Sequence, residues 1–88
     1  MVGKYRLTKS GQDYYWIEEF NTETDKYTLR ATASYLSLKE KAAKICNNVG
    51  LAELMLASTA DIKEGEGRAF VLAFNPETQK LEARISSE

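Results

Sequence analysis

The sequence contains no histidine, and it has only one cysteine and one proline among its 88 residues. Without histidine the chain lacks the usual general base near neutral pH and the commonest metal ligand. Because Cys46 has no second cysteine to pair with, no disulfide can form within the chain, and a reducing compartment is the simplest setting. We therefore expect a cytoplasmic protein that has no metal site, no cofactor and no catalytic centre.

Long hydrophobic runs and a strong charge of either sign are also missing. No apolar run approaches the roughly 18 residues that span a bilayer, and the amino terminus has no apolar signal segment. Twelve basic residues stand against thirteen acidic ones, for a net charge of -1. The whole molecule therefore has no electrostatic reason to bind an acidic membrane or nucleic acid. A chain of this length predicts one domain over residues 1–88, with shallow surfaces rather than a deep cleft.

The clearest pattern in the sequence is a β-hairpin signal that occurs twice. Alternating apolar residues flank residues 75–78, where Pro76 presets φ for a turn and Asn75 can accept a hydrogen bond from the backbone ahead. A shift of 54 residues aligns residues 20–30 with residues 74–84, and six of these eleven positions are identical. Duplication of a hairpin and repeated use of a favourable turn both explain this likeness.

The shared register pairs Phe20 with Tyr27 and Phe74 with Leu81, and it gives each hairpin one apolar face. In the first hairpin that face would carry Trp16 and Phe20. Glu18 breaks the pattern because it lies between them. Burial would raise the pKa of its carboxyl group, but a lone carboxylate without a second titrating group rarely makes a catalytic site. We favour a structural role, at an uncovered sheet margin or paired with a lysine.

One main helix is predicted over residues 37–49. Ser37 and Glu40 have capping-box spacing, and the apolar residues that follow, including Cys46, fall on one helical stripe. Gly50 can end the helix by adopting the left-handed conformation. Residues 51–58 are ambiguous. We favour a strand at residues 54–58, which would give six strands, whereas a helix would leave five. The fold class is α+β, an antiparallel sheet built from two similar hairpins with the main helix packed on its apolar face.

The outward faces of the two hairpins carry the candidate site. Ile17 would lie opposite Arg30, and Val71 would lie opposite Arg84 at the equivalent position, with Tyr15 beside them. An apolar patch rimmed by guanidinium groups is typical of an interface with a partner chain or a second subunit. The plainer interpretation is that the arginine stems cover isolated aliphatic side chains on a solvated face.

We therefore predict a small non-enzymatic protein-binding module that acts by occupying a partner's surface, with a homodimer as one form of that contact. An accessory or inhibitory role, of the kind that small phage genes encode, is suggested by size alone. The alternative is a single-stranded nucleic-acid binder in which Tyr15 stacks on bases beside Arg6, Arg30 and Arg84. An enzyme working through Glu18 is the third class, and it lacks a histidine, a second carboxylate and a cofactor motif.

Overall fold

The computed structural model describes residues 3–86. These residues form an α+β domain with a five-stranded antiparallel sheet and two helices. In chain order the elements are β1 (Gly3–Gly11), β2 (Tyr14–Asn21), β3 (Lys26–Ala33), α1 (Tyr35–Cys46), α2 (Val49–Ser58), β4 (Gly67–Asn75) and β5 (Lys80–Ile85). Neither helix within this range has the length and apolar character needed to cross a membrane.

The sheet has the strand order β3-β2-β1-β4-β5, so β1 lies at its centre. Both neighbours of β1, the strands β2 and β4, run antiparallel to it. A connection of two residues joins β1 to β2, whereas both helices and a loop separate β3 from β4. The two hairpins therefore extend the sheet from opposite sides of β1.

The β2–β3 and β4–β5 connections share one backbone geometry. Asp25 and Gln79, which are 54 residues apart, have φ values of 59° and 58°, in the left-handed region. The backbone N–H of each donates to the carbonyl oxygen of the asparagine that begins the turn, Asn21 at 2.8 Å and Asn75 at 2.7 Å. The side chain of each asparagine also accepts the backbone N–H two residues ahead. Such asparagine turns hold the backbone locally, without help from the rest of the fold.

Helix α1 begins two residues before the predicted start. Ser34 is its N-cap, and the Ser34 backbone N–H donates to the Ser37 hydroxyl at 3.1 Å. The helix ends at Cys46 because Asn47 adopts the left-handed conformation, with φ of 51°. The predicted end at Gly50 is therefore wrong.

Residues 51–58 are helical, so the strand that we favoured there is wrong and the five-strand alternative holds. Asn48 is the N-cap of α2, and its side chain accepts the backbone N–H of Leu51 at 2.8 Å. Gly50 lies inside the first turn of this second helix. High helix propensity in residues 51–57, together with a strong N-cap, outweighs the turn-like residues that follow.

Buried side chains from the sheet and both helices form one core cluster, and we call the side of the sheet that contributes to it the core face. Its larger buried side chains include Tyr5, Leu7, Tyr15, Ile17, Leu38, Leu51, Met55, Phe70 and Leu72. Cys46 belongs to this cluster, as predicted, and burial together with the nearby Glu19 charge raises the pKa of its thiol to about 12. Helix α1 contacts β2 and β3, and α2 contacts β5.

The first hairpin faces the opposite way from the prediction. Tyr15 and Ile17 are buried in the core, whereas Trp16 lies on the other side of β2 and is partly exposed. A β-bulge contributes to this difference, because Glu18 pairs with Leu29 but Ile17 pairs with Ala31, which leaves Arg30 as the extra residue. The alanines beyond the bulge consequently share a face with Ile17 and not with Trp16.

Candidate functional site

The sheet surface opposite the core face, which we call the open face, carries a second set of large side chains. The strand registers arrange these side chains in three rows across the sheet. The rows are Thr32-Trp16-Thr8-Gly67, Leu29-Glu18-Arg6-Ala69 and Tyr27-Phe20-Lys4-Val71-Arg84. Side chains alternate between the two faces along each strand, so this surface follows directly from the burial of Tyr5, Leu7 and Ile17 on the other side.

A hydrogen-bonded charge pair lies at the centre of the open face. Arg6 donates from Nε to Glu18 Oε1 at 2.9 Å and from Nη2 to Glu18 Oε2 at 2.8 Å. The Thr8 hydroxyl donates to Glu18 Oε1 at 2.6 Å. This bidentate arrangement is the strong form of an arginine–carboxylate pair, and it fixes the orientation of both side chains.

The environment of Glu18 lowers the pKa of its carboxyl group. Burial taken alone would raise this pKa, but the hydrogen bonds from Arg6 and Thr8 and the positive charge of Arg6 outweigh burial. The rise in pKa that burial alone predicts is therefore wrong. Glu18 is buried, and its partner is an arginine rather than a lysine. A carboxylate held ionised in this way anchors Arg6 and is poorly suited to donate a proton near neutral pH.

Two aromatic rings beside this charge pair are covered by cations. The Arg6 guanidinium carbon lies 4.2 Å from the centroid of the Tyr27 ring, and Lys4 Nζ lies 5.4 Å from the centroid of the Phe20 ring. The two rings meet edge to face, with centroids 5.3 Å apart. An edge-to-face ring pair contributes about 0.5–1.5 kcal/mol, and a cation–π contact at an exposed site contributes about 0.5–1 kcal/mol. The cluster is therefore an ordered platform rather than a set of loose surface side chains.

Beyond this platform the open face exposes apolar surface. Trp16 is 38% exposed and Leu29 is 50% exposed. Trp16 borders an open cavity of about 260 Å³ that is also lined by Arg6, Thr8, Glu18, Gly65 and Gly67. A Cβ atom at Gly67 would lie 2.9 Å from the Thr8 hydroxyl oxygen, so glycine leaves the room that the Thr8–Glu18 hydrogen bond needs.

The open face is more positive than the rest of the molecule. Its described residues include four basic and two acidic side chains, while the whole chain carries a net charge of -1. The basic residues are Lys4, Arg6, Lys80 and Arg84, and the acidic ones are Glu18 and Glu82. A surface of this composition is complementary in charge and polarity to one that is apolar and acidic.

The structure separates the five residues of the predicted site. Tyr15 and Ile17 are 4% and 0% exposed in the core, so neither can contact a partner directly. Arg30 forms an ion pair with Glu19, which belongs to the core-face side of β2. The predicted patch that would join these three residues to the second hairpin is therefore not formed.

Val71 and Arg84 are direct neighbours on β4 and β5, and both lie on the open face. Sequence reasoning missed their companions there, above all Trp16 and Leu29. A usable signal was present, because β2 carries large apolar residues on both of its faces. If helices cover only one face of a sheet, the apolar side chains on its second face stay exposed.

Among residues 3–86 no three histidine, cysteine, aspartate or glutamate side chains are grouped so that they could hold a metal ion. Comparisons of the chain with protein-family models, with curated proteins and with solved structures gave no match.

Proposed function

We propose that this protein is a non-enzymatic protein-binding module whose working surface is the open face, and that its partner presents an apolar, acidic surface. The observation that carries the proposal is the exposure of Trp16 and Leu29 beside the ordered Arg6–Glu18 pair. Tryptophan and arginine are the residue types that most often dominate binding energy at protein interfaces.

The order of this surface supports the proposal further. Arg6 is already held by Glu18 and by the Tyr27 ring before any partner arrives. A side chain that is fixed in advance loses less conformational entropy on binding than a free one, and this loss costs about 0.5–1.5 kcal/mol for a long side chain. The open face is therefore prepared for contact in a way that an ordinary solvated surface is not.

A single-stranded nucleic-acid binder is the second candidate. It is favoured by the presence of Trp16, Phe20 and Tyr27 on one face together with basic side chains, which is the composition of base-stacking sheets. Three contacts make this candidate the weaker one. Lys4 and Arg6 lie over the rings of Phe20 and Tyr27, and Glu18 offsets the charge of Arg6. Trp16 is left as the main platform for a base.

We also propose that the two hairpins are copies of one unit. This proposal is supported by the matching φ values of Asp25 and Gln79 and by the hydrogen bond that each turn's asparagine side chain accepts. The proposal includes a cytoplasmic location, which agrees with one free, buried cysteine. An accessory or inhibitory role for the module rests on its small size.

Trp16 is the single tryptophan of the chain, so its fluorescence reports directly on the open face. Parent protein, a Trp16→Glu variant and a Leu29→Glu variant would be immobilised and exposed to nuclease-treated lysate of the source. Leu36→Glu is the matched control, because Leu36 is 92% exposed on α1, away from this surface. Captured proteins would be identified, purified and titrated against free parent protein while Trp16 emission is followed.

The proposal expects a blue shift of Trp16 emission on titration, loss of capture by both open-face variants and retained capture by the control. Capture that survives both open-face substitutions would refute it. Quenching of Trp16 by a generic oligonucleotide, with affinity that falls steeply as salt rises, would instead support the nucleic-acid candidate.

A further inference from the structure

The outer edge of β5 has a regular pattern of backbone groups that no strand within residues 3–86 pairs with. The Ser86 backbone N–H donates to the Ala69 carbonyl oxygen at 2.9 Å. Residues of an antiparallel ladder alternate between those that bond to the neighbouring strand and those that do not. Glu82 and Arg84 therefore direct their backbone groups to β4, and Leu81, Ala83 and Ile85 direct theirs outwards.

We propose that two copies of this chain associate through antiparallel pairing of their β5 strands, with Ala83 of one copy opposite Ala83 of the other. In this register Leu81 of each copy faces Ile85 of the other on the core-face side. Glu82 of each copy faces Arg84 of the other on the open face. All three outward-directed residues then take part in backbone hydrogen bonds, two for each facing pair.

The charges on β5 select this register over its neighbours. A register centred on Glu82 would place the two Glu82 side chains opposite each other and Lys80 opposite Arg84. A register centred on Arg84 would place two arginines opposite each other. Directly facing like charges destabilise strand pairing, whereas opposite charges contribute about 0.2–1 kcal/mol per pair. Registers shifted by one residue would place apolar side chains on the charged side.

The side chains of β5 are in a state that suits this contact. Arg84 is exposed and makes no ion pair within residues 3–86. Glu82 accepts one hydrogen bond on each carboxylate oxygen, from Asn75 at 2.9 Å and from Thr78 at 3.1 Å, so each oxygen keeps a lone pair for an arginine. Ile85 is 47% exposed and would be covered by Leu81 of the second copy.

The opposite edge of the sheet differs in a way that favours one closed dimer over open chains of molecules. The bulge at Arg30 interrupts the regular edge of β3. Bulges are a common means of blocking edge-to-edge association. Contact between two β5 edges is self-complementary and closes with two-fold symmetry. This inference does not rest on the function proposed for the open face, although the dimer would place two open faces side by side.

The full chain and three charge variants would be examined by sedimentation over a concentration series up to the solubility limit. The parent is expected to rise from one chain mass of 9.9 kDa towards twice that mass. Glu82→Arg and Arg84→Glu should each remain monomeric, because each places like charges opposite each other. An equal mixture of these two variants should form a heterodimer, and the double swap should restore the homodimer.

Ala83→Pro supplies an independent test. The Ala83 N–H is not used in pairing with β4, so proline should leave the monomer folded by circular dichroism while it removes a donor from the dimer contact. A parent that stays monomeric at every concentration would overturn the proposal. A parent that dimerises while the mixture of charge variants does not would also overturn it, because the dimer would then use another surface.

Discussion

Removal of Arg6 provides the sharpest test of the open-face charge pair. Arg6→Met keeps an unbranched apolar stem but removes the guanidinium group, which leaves Glu18 buried without its counter-ion. Loss of one partner from a fully buried pair costs about 3–5 kcal/mol. Here the Glu18 side chain is 8% exposed but that of Arg6 is 38% exposed, so water already screens part of the interaction. We expect a loss of about 1–3 kcal/mol in the free energy of unfolding at pH 7.

The pH dependence of this loss separates electrostatics from packing. In the parent the pKa of Glu18 is lowered by folding, so the pair adds stability above the unfolded pKa, and this stability is lost as the pH falls through the folded pKa. Without Arg6, burial is opposed mainly by Thr8 and should raise the pKa of Glu18 above its unfolded value. At low pH, protonation of Glu18 removes the buried charge that destabilises the variant. In the parent, the same protonation removes the stability that the ionised pair contributes.

Urea denaturation followed by circular dichroism at pH 7 and near pH 4 would measure both stabilities. Lys80→Met is the matched control, because it removes an exposed cation from the same face, outside the Glu82–Arg84 contact proposed for the dimer, and should change stability by no more than about 0.5 kcal/mol. The difference between parent and Arg6→Met should shrink markedly at the lower pH. A loss no larger than that of the control, or one that is equal at both pH values, would refute this account of Glu18.

Three further predictions follow from burial. Phe70→Ala should cost about 3–5 kcal/mol in a denaturant melt, whereas Phe74→Ala should cost much less, because Phe70 is 0% exposed and Phe74 is 54% exposed; similar losses would contradict the face assignment. Ile17→Asp should abolish the cooperative thermal transition, since it buries an unpaired carboxylate, and Val71→Asp should retain a cooperative melt. The Cys46 thiol should react with an alkylating agent at pH 8 only as fast as the protein unfolds locally, because the thiol is buried and burial raises its pKa to about 12. A reaction rate like that of a free thiol would argue against a buried position.

Local turn chemistry explains why the hairpin pairs Phe20–Tyr27 and Phe74–Leu81 can be derived from the sequence alone. Each asparagine holds its own turn, so the register near the turn depends on few residues far away in the chain. Helix α2 was also accessible in principle, because consecutive asparagines at 47 and 48 provide both a left-handed helix end and an N-cap. The apolar segment after these asparagines is short enough to be a strand, so its pattern alone favoured the wrong element.

The direction in which each hairpin faces could not be derived in the same way. Since β2 and β4 run in the same direction on opposite sides of β1, one hairpin is brought onto the other by a half-turn about an axis along β1. That rotation exchanges the two faces of the sheet. Phe74 therefore lies on the core face, whereas Phe20, 54 residues earlier, lies on the open face. The order of strands across a sheet is a property of the whole fold, and no local pattern in either hairpin encodes it.

The central position of β1 bears on how the chain folds as it is synthesised. β1 is made long before β4, so one of its edges stays unpaired while the 55 intervening residues, 12–66, leave the ribosome at roughly 5–20 residues per second. During those seconds Tyr5 and Leu7 lie beside β2, but they lack Phe70, which later pairs with Tyr5 across the sheet and joins the same core cluster. A nascent chain that ends after α2 would thus hold β1, β2 and β3 with an unfinished core and an open central edge. We expect this stage to be the one at which the protein most needs a chaperone, and the completion of β4 to be the step that releases it.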